Sequence, residues 1–302
     1  MTMQQLAKQK EALVAASRSR NAPPMKKDIV KPASLGPSRA SVFVWQCLIV
    51  VGFLAAWQWT PEIPWVHSHI KFASPFFISS PSLAFETSWR LMSGSAGTGT
   101  IWNAFGLTMG AALIGTLISV VAGAVLGLLL SHWDFANAVA KPLVIIINAI
   151  PRIAIIPIIV LIAGASTQTD IWTVVTVNLF VVFYNALAGG QHVKPEMLQN
   201  ARILGASNLD ILLHVRGPYA LAWTFSALPN AVAFGIIGAV TAELFSGGDG
   251  MGRLLMTAVD TTNADLTFGV IIILSITGVV LVSLVESLRK VLIPWWGKAG
   301  GL

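Results

Sequence analysis

Residues 199–218 read QNARILGASNLDILLHVRGP and lie between two long apolar segments. Hydrocarbon is a poor solvent for such a run, because a charge such as Arg202, Asp210 or Arg216 costs about 2.5–3.5 kcal/mol at the centre of a bilayer. The stretch is punctuated instead like structure at a membrane surface. Pro195 can open a helix, and Glu196 suits its positive N-terminal end. Gly205 stops that helix, since glycine readily takes the left-handed conformation at a helix end. Ser207 and Asp210 have the spacing of a capping box, which opens a second helix through Val215. Gly217-Pro218 then ends it. The expectation is two short helices with a glycine corner, lying across a membrane face, with Leu204, Leu209, Leu212 and Leu213 as an apolar ridge. Helix–helix connections usually run to about 2–8 residues; the connection over 190–218 is far longer and internally structured, and such loops generally bind something.

Outward from this stretch the chain is built for lipid. Of its 302 residues 55% are hydrophobic and only 11% charged, against about 25% charged in an ordinary soluble domain. Six segments approach or exceed the ~20 helical residues needed to cross a hydrocarbon core: 41–60, 101–130, 138–164, 170–189, 219–243 and 266–288. Backbone groups find no water in lipid, so these segments must be helical, and the fold class is all-α integral membrane protein with six transmembrane helices. In the second segment Ala111, Gly115, Ser119, Gly123 and Gly127 recur every fourth position. They share one helix face and let another backbone come close; the seam is read either as tight static packing or as a sliding surface.

Charge sets the expected direction. Fifteen of the 19 Lys and Arg residues fall on one side if both termini lie inside: eight in residues 1–40, then Lys141, Lys194, Arg202, Arg216, Arg289, Lys290 and Lys298. Lys71, Arg90 and Arg253 fall on the other side, and Arg152 lies within a span. Under the positive-inside rule both termini are then cytoplasmic. The net charge of +6 is accounted for by this asymmetry, so it does not argue for a nucleic-acid partner. Residues 1–40 read as a basic cytoplasmic tail, with a short surface helix over 4–18 and prolines beyond it, and residues 41–302 as the transmembrane domain. The first apolar run follows this polar tail and is expected to remain as a span rather than act as a cleaved leader. On the outer side Ser80-Pro81 starts a short helix over 81–92, ended by the SGSAGTG linker. Trp57, Trp59 and Trp65 fit an interfacial aromatic belt, with a binding role as the alternative.

The stretch over 199–218 resembles the cytoplasmic signature of ABC-importer membrane subunits: Glu-Ala-Ala, three residues, Gly, nine residues, Ile-x-Leu-Pro. Ala201, Gly205 and Pro218 keep identity and spacing; Gln199 stands for the acid, Asn200 for an alanine and Gly217 for a leucine. Pro151-Arg-Ile-Ala-Ile-Ile-Pro157, Glu243 followed by Gly250-Met-Gly252, and Pro294-Trp295 are similar to the branch handling nitrate, sulfonate, taurine and bicarbonate. The resemblance covers roughly residues 80–296. It implies a type I ABC importer permease fold in a bacterial cytoplasmic (inner) membrane. It further implies a coupling helix at Gln199, Asn200, Ala201, Gly205, Ser207, Asp210 and Pro218 that docks on a cytoplasmic ATPase. The implied partners are a second copy of the chain, ATPase subunits that bind the ATP and Mg, an extracytoplasmic solute-binding protein, and membrane lipid.

The chain has no phosphate-loop motif, no zinc-protease or nucleophile-elbow motif and no paired intramembrane carboxylates, so neither a catalytic site nor a cofactor of its own is expected. Cys47 is the single cysteine, and His67 and His69 lack a third ligand, so no metal site is expected. Arg152, inside a span, either satisfies carbonyls freed by Pro151 and Pro157 or stabilises an anion in the translocation path. Glu243 either seats a structural hydrogen bond or lines an outer gate, the structural role being favoured. The rival function is a stand-alone secondary transporter or channel, which would show paired broken helices or ion-coupling carboxylates.

Overall fold

The computed structural model describes residues 38–63, 66, 69, 77–95 and 101–293. The tail over 1–37, Trp65, His67, Lys71, the linker over 96–99, Pro294-Trp295 and Lys298 lie outside the described residues, with the expectations attached to them. Regular structure among the described residues is entirely helical. By packing the chain divides into two units, Met1–Gly52 and Phe53–Leu302, with the division inside α1 (Arg39–Trp59). The apolar side chains of α1 up to Gly52 are exposed, as a lipid-facing span requires.

In the second unit, α2 (Pro81–Ser93) forms where the sequence predicts it. The Ser80 hydroxyl accepts from the Leu83 amide at 3.4 Å, and Gly94, at φ +73°, closes the helix. Three long helices follow: α3 (Ile101–His132), α6 (Thr167–Gln191) and α8 (Asn208–Ser246), with α10 (Ala264–Leu292) after the short α9 (Met251–Asp260). With α1, these give five helices long and apolar enough to cross a membrane.

The expected span over 138–164 is not one helix. It is a pair, α4 (Asp134–Ala149) and α5 (Arg152–Ala163), bent by 84° at the break between them. The cause is local. The α region is disfavoured for a residue before proline, and here Ile150 is extended at ψ 125°, followed by Pro151 at ψ 110°. At about 1.5 Å per residue neither the 16-residue nor the 12-residue piece reaches across a ~30 Å core alone. Taken together as one broken span, the pair brings the candidate spans to six.

The packing centre is α3 against α6, with α8 laid over both. The predicted small-residue stripe is this contact: Ala111, Gly115, Ser119, Gly123 and Gly127 are all buried. A Cβ on Gly115 would sit 2.6 Å from Val174 Cβ, and one on Gly127 2.6 Å from the Phe183 carbonyl oxygen. One polar knot crosses the three helices. Asn178 Nδ2 donates to Thr116 Oγ1 at 2.9 Å and to the Ala231 carbonyl at 2.8 Å. At the other end of the bundle, α2 is pinned to α10. Ser79 Oγ donates to Asp265 Oδ1 at 2.6 Å, and Ser88 Oγ lies 3.0 Å from the Gly269 carbonyl.

Gly127→Val has no room to relax, because the nearest obstacle is backbone. It should destabilise the protein by about 1–3 kcal/mol, read as a lower melting temperature in detergent. Gly110→Ala, whose Cβ meets nothing within 4 Å, should leave melting unchanged or slightly raised.

Candidate functional site

The quoted stretch folds as a tight corner at the end of the bundle where α3 and α6 finish. α7 (Pro195–Ile203) starts on proline with Glu196 in its first turn. It ends in a Schellman arrangement: the Ala206 amide donates to the Ala201 carbonyl and the Gly205 amide to that of Arg202, both at 3.0 Å. This closure needs a left-handed residue, and Gly205 supplies it at φ +85°. The predicted capping box is present. The Asp210 amide donates to Ser207 Oγ at 3.2 Å, while Asp210 Oδ2 accepts from the Ser207 amide at 3.0 Å and from its hydroxyl at 2.5 Å.

The second helix does not stop at Gly217-Pro218, as the sequence reading expected. It runs unbroken from Asn208 into the span that ends at Ser246. Proline inside a helix lacks a donor and crowds the carbonyl four residues back. The chain solves this with a wider turn: Ile211–Arg216 is π-helical, the Gly217 amide bonds the Leu212 carbonyl five residues earlier, and Gly217 itself is right-handed helical at φ −54°, ψ −53°. The 39-residue helix is about 58 Å long, well beyond a ~30 Å core, so its first turns protrude. The apolar ridge is corrected at one position. Leu212 is buried with Ile211, whereas Ile203 is 83% exposed and Leu204 86% exposed, alongside Leu209 and Leu213.

Gln199, Asn200, Gly205, Ser207, Asp210 and Pro218 are exposed and Ala201 is half-buried. The structure brings the first six of the motif positions, Gln199 to Asp210, onto one corner; Pro218 lies two turns further along α8. Sequence reasoning missed what seats this corner. Arg216, counted above only as a charge, reaches back across the helix ends: its Nη1 donates to the Ser131 carbonyl of α3 and, at 3.2 Å, to the Gly190 carbonyl of α6. Beside it the His192 and Trp223 rings lie 4.6 Å apart, and Tyr219 Oη donates to Met197 Sδ at 3.4 Å, tying α7 to α8.

Glu243 is at the opposite end of α8 and is 1% exposed. The Gly252 amide donates to its Oε2 at 2.8 Å, and the Thr108 hydroxyl lies 2.7 and 2.8 Å from its two carboxylate oxygens. Thr108 Oγ1 in turn accepts from the Met251 amide at 2.8 Å. Gly250 lies so close that a Cβ there would overlap the Glu243 carboxyl at 2.0 Å. The Gly250-Met-Gly252 turn is thus wrapped around one buried carboxyl group. Arg152, half-buried, opens α5 and places its guanidinium carbon 5.8 Å from the centre of the Phe180 ring on α6, within cation–π range.

Thr108→Val removes the hydroxyl that links Glu243 to the start of α9. Leaving these buried groups unpaired costs about 1–3 kcal/mol, so the variant should melt at lower temperature, while Thr108→Ser should melt like the unchanged protein.

A model of the family described as binding-protein-dependent transport system inner membrane component matches residues 115–298. The chain is 26% identical to a riboflavin transport system permease protein of Chloroflexus aurantiacus over 73% of this chain and 81% of that protein. It is 32% identical to a probable ABC transporter permease protein of Haemophilus influenzae, over 58% of this chain and 71% of that one. It is 25% identical to a putative aliphatic sulfonates transport permease protein of Escherichia coli, over 81% and 89%. ABC permeases work with an ATPase and a binding protein, and they are transport components without catalytic activity or cofactor of their own. The family match spans more than half of the chain, and the protein belongs to the binding-protein-dependent transport system inner membrane components, as a multi-pass permease subunit of an ABC importer.

Proposed function

We propose that this permease forms, as a pair with a second copy of itself, the path for a small anion of the nitrate, sulfonate, taurine or bicarbonate kind. The observation that carries the docking part of this reading is the corner at Gly205. There Ile203, Leu204, Leu209 and Leu213 stand exposed on a segment protruding beyond the span, next to Gln199, Asn200, Ala201, Ser207 and Asp210. Apolar groups displayed on a polar, well-capped corner suit burial in a partner's groove. In this reading the partner is a cytoplasmic ATPase, Pro218 marks where the lever enters the membrane, and both termini lie in the cytoplasm. Residues 1–40 form a basic tail at the anionic inner leaflet, and residues 41–302 form the transmembrane domain. ATP binding closes the ATPase pair, the two corners move with it, and the long helices reorient around a central cavity. An external binding protein delivers the solute.

The anion is supported by the sulfonate permease among the relatives and by Arg152 near the break between α4 and α5. A riboflavin permease among the relatives is the competing solute class. Glu243, wrapped by its own turn, holds the outer end of α8 together rather than gating it.

Docking is tested by co-expressing the chain with its ATPase and purifying through the permease. Recovery of the ATPase supports the reading, and solute transport by the purified permease alone in liposomes overturns it in favour of a stand-alone carrier. Sidedness is read by labelling Asn200→Cys in a Cys47→Ser background, where only reagent admitted to the inside should react. Gly205→Val strains a left-handed position by about 1–3 kcal/mol and should lower solute moved per ATP hydrolysed, with Gly205→Asn milder. Arg152→Gln should lower anion uptake while ATPase recovery is unchanged; unchanged uptake and selectivity would leave Arg152 a purely structural residue.

A further inference from the structure

We propose that Arg216 is a positioning residue that locks the Gly205 corner to the ends of α3 and α6, so that corner and helix ends move as one body. The proposal rests on the corner being the point where an ATPase pulls. Its basis is geometric. The Ser131 and Gly190 carbonyls belong to the last turns of α3 and α6, where intrahelical amide partners run out and the negative end of each helix dipole emerges. One guanidinium nitrogen bonds both, and hydrogen bonds from a charged donor are roughly twice as strong as neutral ones.

Three further features serve this contact. Gly190 lets the two helix ends meet closely enough for one side chain to hold both: a Cβ there would lie 2.2 Å from Ser131 Oγ. The buried Ile211 and Leu212 press the π-helical segment against the same two helices. The π turn itself shifts the phase of the residues ahead of it relative to the span behind it, and Arg216 is the last residue of that turn. The capping box at Ser207 and the Tyr219–Met197 contact then carry any displacement of α7 into α8. Without Arg216, a pull on the corner could bend α8 at the π turn and leave α3 and α6 behind.

The test uses the complete transporter, permease with its ATPase, in lipid nanodiscs. One permease copy carries spin labels at Asn208→Cys and Trp133→Cys in the Cys47→Ser background. Asn208 opens α8 at the corner and Trp133 directly follows α3, so the label pair reports whether the two separate. With native Arg216 the distance distribution should be narrow and the same with and without a non-hydrolysable ATP analogue. With Arg216→Met a second, longer distance should appear on adding the analogue. A merely stabilising residue would lower the melting temperature in both states without this nucleotide-dependent split. Arg216→Lys, which keeps the charge without the planar fork, should show a smaller split and covers the case in which Arg216→Met does not assemble. The proposal is overturned if the distance changes with nucleotide in the protein with native Arg216. It is also overturned if the assembled variants stay as narrow as that protein. Failure of the docking reading looks different: the ATPase is then absent from the purified sample.

Discussion

Where α3 meets α6 in this protein, backbone lies almost against backbone, and the rest of the bundle is arranged around that contact. Helices in lipid gain little from apolar burial, because the solvent is as apolar as the side chains; they associate through close packing and a few polar bonds. Gly115, Gly123 and Gly127 provide the closeness. Asn178 provides the bond, joining Thr116 on α3 to the Ala231 carbonyl on α8. With three helices fixed in this way, both ends of the bundle become defined platforms.

The platforms are finished differently. At one end a carboxyl group, Glu243, is buried and surrounded by donors from Thr108 and the turn at Gly250-Met-Gly252. At the other a guanidinium, Arg216, gathers carbonyls from two helix ends. In each case an ionisable side chain satisfies backbone or hydroxyl groups that the helix geometry leaves over, which offsets part of the cost of burying it there. The corner at Gly205 stands on the second platform. It has rigid caps on both sides and exposed apolar groups on its surface, a combination suited to passing force rather than absorbing it.

Much of this was legible residue by residue. The α2 start at Ser80-Pro81, the α7 stop at Gly205 and the Ser207–Asp210 capping box depend on contacts within a few residues, and such contacts are written locally. The small-residue stripe was legible as a seam because its period matches a helix face, although its partner was not. The misreadings also have local causes. Gly217-Pro218 looked like a terminator because proline ends most helices, and the π turn that accommodates it leaves no signature in residue type. Leu212 was grouped with the ridge as one more leucine of the stretch, and in the π-helical segment it turns inward with Ile211 instead. The span over 138–164 looked continuous because hydropathy does not register the extended backbone at Ile150.

By itself the sequence determined that the chain is helical and made for lipid, that helices start at Ser80-Pro81 and stop at Gly205, and that a capped glycine corner interrupts the apolar pattern, since composition, periodicity and capping chemistry act over a few residues. Only the tertiary structure decided that α3, α6 and α8 are the packed centre and that Arg216 bridges Ser131 and Gly190. Those outcomes depend on groups that are distant along the chain and meet only when whole helices are in place, so no local pattern encodes them.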